Sequence, residues 1–212
     1  MVYRVFVEKK PGFDHEAAAL CADLRSFLGV KTLEKVRLLN RYDVENIDAA
    51  LFEKAKRTVF SEPQLDVCTD TAPDVSDCAV FAVEYLPGQF DQRADSTAQC
   101  IQILSQLERP LVRTAKVYLL YGDPSAQQIE TIKKYVINPV ESREASLETV
   151  DTLRMQYDIP TTVDVCTGFC AMEEDELSEA GWFHRDSLPE DHSDISLTGE
   201  MIELFRGGRE PH

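Results

Sequence analysis

The segment YRVFVEKKPG at residues 3–12 returns as AVFAVEYLPG at residues 79–88, so the motif Val-Glu-x-x-Pro-Gly occurs twice, with Val7 matched by Val83. Two later segments also recur, at slightly larger offsets that we attribute to loop insertions: KVRLL at 35–39 with KVYLL at 116–120, and KRTVF at 56–60 with KKYVI at 133–137. Each copy is long enough to be a small domain. Two such copies predict a pseudo-dimer rather than a solenoid.

Both copies carry the same predicted order of elements: strand, helix, strand, helix, strand. Two helices against one face of a mostly antiparallel sheet bury the single apolar stripe of each helix. The sequence therefore predicts an α+β fold of two fused ferredoxin-like repeats, at residues 1–70 and 78–150, each covering the sheet edge or face that the other would leave exposed. An acidic linker joins them at residues 69–77. We also consider a further short strand after Arg41 or Tyr121.

The pattern changes beyond residue 152. Acidic runs at residues 173–176 and 190–194 alternate with short periodic segments, and residues 195–205 predict one amphipathic helix. The chain ends in GGREPH, which is a linker composition. We therefore expect residues 153–212 to be a small linker segment, mostly irregular or helical, with more protein following it.

The composition limits the classes of partner. With 38 acidic and 22 basic residues, the formal net charge is -16, which repels a phosphate backbone, so we expect no nucleic-acid partner. No apolar run approaches the roughly 20 residues that a membrane span needs. No charged-then-apolar signal region opens the chain. The expected location is the cytoplasm.

The six cysteines do not form a disulfide framework in this interpretation, and we expect reduced thiols. One constellation invites a metal ion: Cys166, Cys170, His184 and His192. Its spacing departs from that of zinc sites, so buried or incidental thiols are the preferred interpretation and no metal site is predicted. The acidic run at 173–176 is typical of a solvated surface. The scattered glycines form no phosphate-binding loop.

Three residues near the end of the second copy are candidates for function: Asn138, Glu141 and Arg143. In the structural alternative, Asn138 ends a helix and Arg143 pairs with a neighbouring acid. In the functional alternative, the Arg143 guanidinium binds a carboxylate or phosphate at an interface with another domain. Arg41 and Tyr42, in the corresponding region of the first copy, are further candidates for the same functional role. No residue is predicted to be catalytic.

The segment NPVE at residues 138–141 resembles the signature of the small accessory subunit of phosphoribosylformylglycinamidine synthase. The chain as a whole is similar to the N-terminal end of the long, single-chain form of that enzyme, over about residues 1–170. The resemblance is carried by four stretches: VYRVFVEKKPG at 2–12, LLNRYDV at 38–44, TVFSEP at 58–63 and INPVESREAS at 137–146. Residues 181–198 depart from the linker pattern of the family.

The resemblance implies a pseudo-dimer of accessory subunits, followed in the family by a linker, an ATP-binding synthetase core and a glutaminase domain. The enzyme converts formylglycinamide ribonucleotide, glutamine and ATP to formylglycinamidine ribonucleotide in purine biosynthesis. This region would dock on the synthetase and glutaminase domains and help enclose the path of ammonia. It would hold no cofactor itself, whereas ATP and Mg²⁺ serve the full enzyme. A free-standing adapter subunit is the alternative, and a metal-binding regulatory module is a third.

Overall fold

Six strands form one antiparallel sheet in the computed structural model, which describes residues 1–154. The strands are β1 (Val2–Lys9), β2 (Lys35–Glu45), β3 (Asp66–Thr69), β4 (Cys78–Tyr85), β5 (Leu111–Tyr121) and β6 (Ser142–Ala145). The helices of this part are α1 (His15–Ser26), α2 (Ala49–Ala55) with a π-helical continuation (Lys56–Phe60), α3 (Gln92–Ser105) and α4 (Ala126–Val136). The α+β prediction is confirmed.

The strand order is β3-β1-β2-β5-β4-β6. The pairing register of the first three strands returns in the last three. Phe6 pairs with Thr69 in the first half, and Ala82 pairs with Ala145 in the second. The same shift in residue number, which relates Phe6 to Ala82, also relates the β1–β2 ladder to the β4–β5 ladder. We call it the repeat shift. At the centre, β2 and β5 pair along their whole length.

The larger offset inferred from KVRLL and KVYLL is wrong. The repeat shift relates Lys35 to Leu111, the first residue of β5, and not to Lys116. Both segments lie in strands rich in apolar side chains, so their likeness does not report the pairing register. An offset that differs from the repeat shift by an odd number of residues would exchange the two faces of the strand. Nor is there a separate strand after Arg41 in the described part of the chain, because β2 continues to Glu45.

Helix starts follow the side-chain caps that the sequence offers. The Asp48 carboxylate accepts the Leu51 N–H at 2.8 Å, and Ser125 forms a capping box with Gln128 at the start of α4. Asp14 lies at the N-cap position of α1. Its carboxylate, however, accepts the N–H of Gly12 rather than a helix N–H.

All four helices pack on one side of the sheet, which we call the helix face. Directly paired residues of antiparallel strands project to the same side, and the paired residues beneath the helices form one continuous surface. Two apolar clusters fill the space between. One contains Leu24 of α1 and Ile132 of α4, and the other contains Phe52 of α2 and Ile101 of α3. Each cluster therefore combines a helix from the first half of the chain with one from the second.

The other side of the sheet, which we call the opposite face, divides into two parts. Its apolar part centres on Leu39, Val117 and Ala82. Its charged part lies at the other end of the strands, around Asp43 and Arg113, which are directly paired. Within residues 1–154, no helix has both the length and the apolar composition that crossing a bilayer requires.

Candidate functional site

The charged part of the opposite face contains a cavity of about 350 Å³. We call it the arginine cleft. Four arginines line it, namely Arg4, Arg41, Arg113 and Arg143. It is also lined by Asp43, Glu84, Glu144, Ser146, Glu148, Val150 and Leu153. The four arginines and four acids of the lining balance in charge, within a chain of net charge -16.

Strand pairing places the arginines side by side. Arg4 on β1, Asp43 on β2 and Arg113 on β5 are paired in one row across three strands. Side chains paired directly across antiparallel strands stand about 5 Å apart and project to the same face. The row therefore sets a carboxylate between two guanidinium groups. Residues far apart in the chain form this site only because the β2–β5 ladder aligns the two halves.

Asp43 is bound by two arginines and is only 3% exposed. The Arg4 Nε and Nη2 donate to its two carboxylate oxygens at 2.5 and 3.0 Å. The Arg41 Nε lies 3.1 Å from Asp43 Oδ2, an ionic contact outside hydrogen-bond alignment. Burial lowers the pKa of Arg41, Asp43 opposes that effect, and the charges of Arg4 and Arg113 add to it. Arg41 is thus a buried cation that other cations already surround.

Glu84 is bound by Arg143 from the neighbouring strand. The Arg143 Nε donates to Glu84 Oε1 at 2.9 Å, and the Nη2 lies 2.8 Å from the same oxygen. The Glu84 carboxylate is largely buried, whereas about half of the Arg143 side chain is exposed. Arg143 therefore has donor positions directed away from Glu84 and accessible to solvent.

Residues 146–153, which we call the strap, cross the charged part of the opposite face after β6. The Arg41 Nη1 donates to the Ser146 carbonyl at 2.6 Å, and the Arg4 Nη1 donates to the Leu147 carbonyl at 2.8 Å. At the far end, the Leu153 N–H donates to the Glu45 carboxylate at 2.7 Å. That hydrogen bond, with a smaller contribution from the Thr152 hydroxyl, holds the pKa of Glu45 below its usual value. Arginine and glutamate side chains thus fix both ends of the strap.

The structure places the residues singled out from the sequence at three different locations. Arg41 and Arg143 both lie in the arginine cleft. Tyr42 projects to the helix face, where its hydroxyl accepts from Arg93 Nη1 at 3.2 Å. It shares with Glu141 the lining of a second cavity of about 600 Å³.

Asn138 lies in neither cavity. Its side-chain oxygen accepts the Val140 N–H at 3.2 Å, and its carbonyl accepts the Ser142 N–H at 2.8 Å. These bonds close the turn between α4 and β6. Asn138 thus forms the turn that leads into the strand carrying Arg143.

The helix face carries the second cavity and an adjoining one of about 740 Å³. Both are lined by Asn40, Tyr42, Val59, Arg93 and Lys116. Their lysine is already engaged, because the Lys116 ammonium lies 2.5 Å from a Glu16 oxygen. These cavities offer a polar lining without a surplus of either charge.

Two of the described thiols are not activated for nucleophilic chemistry. Burial raises the pKa of the Cys68 and Cys78 thiols, which keeps them protonated and poorly nucleophilic at neutral pH. Within residues 1–154, no three His, Cys, Asp or Glu side chains are grouped to hold a metal ion. The constellation of Cys166, Cys170, His184 and His192 lies outside the described residues.

Sequence reasoning missed Arg4, Asp43 and Arg113. The signal that could have found them is the alternation of Arg41 and Asp43 on one face of β2, with a charged residue in each neighbouring strand. Compared with models of protein families and with curated proteins, the sequence matches none of them.

Proposed function

We propose that this chain is the N-terminal, accessory-subunit-like region, with part of the linker, of a long-form phosphoribosylformylglycinamidine synthase. The observation that carries the proposal is the strand register, which repeats with the same shift in all the ladders within the two halves. In this proposal, each half is a ferredoxin-like copy of the accessory subunit. The two copies form a pseudo-dimer through the β2–β5 ladder.

The proposed role is that of a scaffold in the cytoplasm. The chain docks on the synthetase and glutaminase domains and helps to enclose the ammonia released from glutamine. Enclosure matters because ammonia that escapes into water is protonated and loses its nucleophilic lone pair. ATP and Mg²⁺ bind in the synthetase core, and the nucleophile that cleaves glutamine lies in the glutaminase domain.

The way the halves are joined suits a scaffold. The full-length β2–β5 ladder and the two mixed helix clusters connect the halves through both backbone and side chains. Two domains joined in this way move as one body, unlike domains that meet only through a small polar interface. A rigid body can hold the surfaces of two partner domains at a fixed separation.

The test combines the full chain with the synthetase and glutaminase domains encoded by the same genome and lacking their N-terminal region. We expect the chain to co-elute with them in gel filtration and to raise the glutamine-dependent rate of formylglycinamidine ribonucleotide formation. The rate with added ammonia should rise less, because free ammonia needs no enclosed path. The isolated chain should hydrolyse no glutamine. Failure to co-elute, or an unchanged glutamine-dependent rate, would overturn the proposal.

A further inference from the structure

The second half of the chain departs from the first in the partner of one arginine. In the first half, Arg37 donates to both carboxylate oxygens of Glu8, at 2.7 and 2.6 Å, and to the Tyr121 hydroxyl at 2.9 Å. The repeat shift relates Arg37 to Arg113 and Glu8 to Glu84. An Arg113–Glu84 pair would therefore be the counterpart of this closed ion pair.

That counterpart is absent from the described part of the chain, because the edge strand of the second half supplies a competing arginine. Glu84 is paired in the ladder with Arg143 of β6, whereas Glu8 is paired with Val67 of β3. The valine cannot bind Glu8 as a cation would, so Glu8 binds Arg37. In the second half, Arg143 binds Glu84. Arg113 therefore lacks the carboxylate partner that Glu8 provides for Arg37.

Asp43, the residue directly opposite Arg113, does not replace that partner. Its carboxylate is bound by Arg4 and lies against Arg41. Among the described residues, half-buried Arg113 forms no ion pair and no side-chain hydrogen bond, although it lies in a cleft with three other guanidinium groups.

Two further carboxylates line the cleft, and neither neutralises Arg113. Glu144 lies 3.0 Å from the ammonium of Lys133, which packs over Phe81 on the helix face. Glu148 is exposed on the strap, and within residues 1–154 its carboxylate contacts no cation. Four arginines and four acids line the cleft, and Arg113 is the one arginine of the lining that forms no ion pair with a described residue.

We infer that the arginine cleft binds a small oxyanion, a phosphate monoester or a carboxylate, through Arg113, with Arg143 and Arg41 contributing charge. A guanidinium group donates two parallel hydrogen bonds to either anion. The cavity of about 350 Å³ has room for such a group and for part of the molecule that carries it. Partial burial reduces the screening that weakens ion pairs on an open surface. The inference does not depend on the proposed function, because it rests on the cleft alone.

The test titrates the full chain with inorganic phosphate and, separately, with glutarate, at constant ionic strength with chloride as the balancing anion. Binding is measured by isothermal calorimetry and by amide chemical shifts. We expect saturable binding of one anion per chain. Tighter binding of phosphate would assign a phosphoryl ligand, and tighter binding of glutarate would assign a carboxylate.

Arg37→Gln is the matched control for Arg113→Gln, since each removes one positive charge from related positions of the same sheet face. We expect Arg113→Gln to weaken anion binding about tenfold or more, as loss of charged hydrogen bonds does, and Arg37→Gln to change it less than about twofold. Arg113→Lys, which keeps the charge but not the two-pronged geometry, should fall between wild type and Arg113→Gln. Glu148→Gln should tighten binding, because it removes the acid free to compete for Arg113.

Two results would overturn the inference. One is the absence of saturable binding of either probe to the wild-type chain. The other is an equal loss of affinity in Arg113→Gln and Arg37→Gln, which would show that anions respond only to net charge. Circular dichroism of each variant confirms that the fold is retained before the affinities are compared.

Discussion

Gly122, directly after β5, should tolerate no side chain. Its φ is +103°, and a Cβ placed there would lie 2.2 Å from the Thr32 carbonyl oxygen and 2.6 Å from the Glu34 nitrogen. Both contacts are with backbone, so rotation of a side chain cannot relieve them. The Glu34 N–H also donates to the Tyr121 carbonyl at 2.9 Å, which holds this loop against the end of β5.

Gly88 supplies the matched comparison. Its φ is +90°, close to that of Gly122, but no atom lies within 4 Å of the Cβ position. Gly88→Ala should therefore cost only the strain of a left-handed residue, about 1–2 kcal/mol. Gly122→Ala adds overpacking against fixed backbone, about 1–3 kcal/mol, for a total of about 2–5 kcal/mol.

The measurement is denaturant unfolding of wild type, Gly88→Ala and Gly122→Ala, followed by circular dichroism. We expect Gly122→Ala to have a free energy of unfolding about 1–3 kcal/mol lower than Gly88→Ala, with a lower midpoint. Equal stability of the two variants would refute the reasoning, because it would mean that the backbone at Thr32 and Glu34 can move away from a Cβ at position 122 without cost.

Three further predictions concern charged and buried groups. Asp43→Asn leaves Arg4 and Arg41 buried without their carboxylate and should lower the free energy of unfolding by about 3–5 kcal/mol in the same denaturant assay; a loss under about 1 kcal/mol would contradict it. Because folding lowers the pKa of Glu45, its carboxylate stabilises the fold at pH values above its unfolded-state pKa. This stabilisation is lost as the pH falls through the folded-state pKa. Glu45→Gln should therefore lose less stability than wild type between pH 6 and about pH 3, and equal losses would count against the strap contact. Burial raises the pKa of Tyr118 to about 12, whereas an ordinary tyrosine has a pKa of about 10. The free energy of unfolding should therefore fall as the pH rises from about 10 toward 12. In Tyr118→Phe this fall should be shallower, and an unchanged slope would argue against burial of the Tyr118 hydroxyl.

The sequence contains enough information to predict the order of elements, but not which face of α3 is buried. The sequence of residues 93–107 carries two overlapping apolar stripes at helical spacing, and only one of them is buried. Ala98 and Ile101 are buried, whereas Cys100, Ile103 and Leu107 are exposed. Periodicity identifies the candidates for burial, and the partner helix selects among them. Here that partner is α2 with its π-helical continuation, which comes from the other half of the chain.

The cleft is only partly predictable for a similar reason. Adjacency in the sequence groups Arg41 with Tyr42, yet adjacent strand residues project to opposite faces, which the period of two already implies. The two-residue alternation alone does not predict the position of Arg113, because its place beside Asp43 depends on the register between β2 and β5. Applying the repeat shift to every residue of the first copy relates Arg113 to Arg37 and exposes the difference between their partners.

The mixed helix clusters have a consequence for the time at which the chain can fold during synthesis. Leu24 is buried in the same cluster as Ile132, which the ribosome adds only after most of the second half has been made. At about 5–20 residues per second, the apolar side of α1 waits roughly 5–20 s for the helix that covers it. During that interval the nascent first half presents an uncovered apolar surface, so holdase chaperones have their opportunity to bind before α4 leaves the exit tunnel.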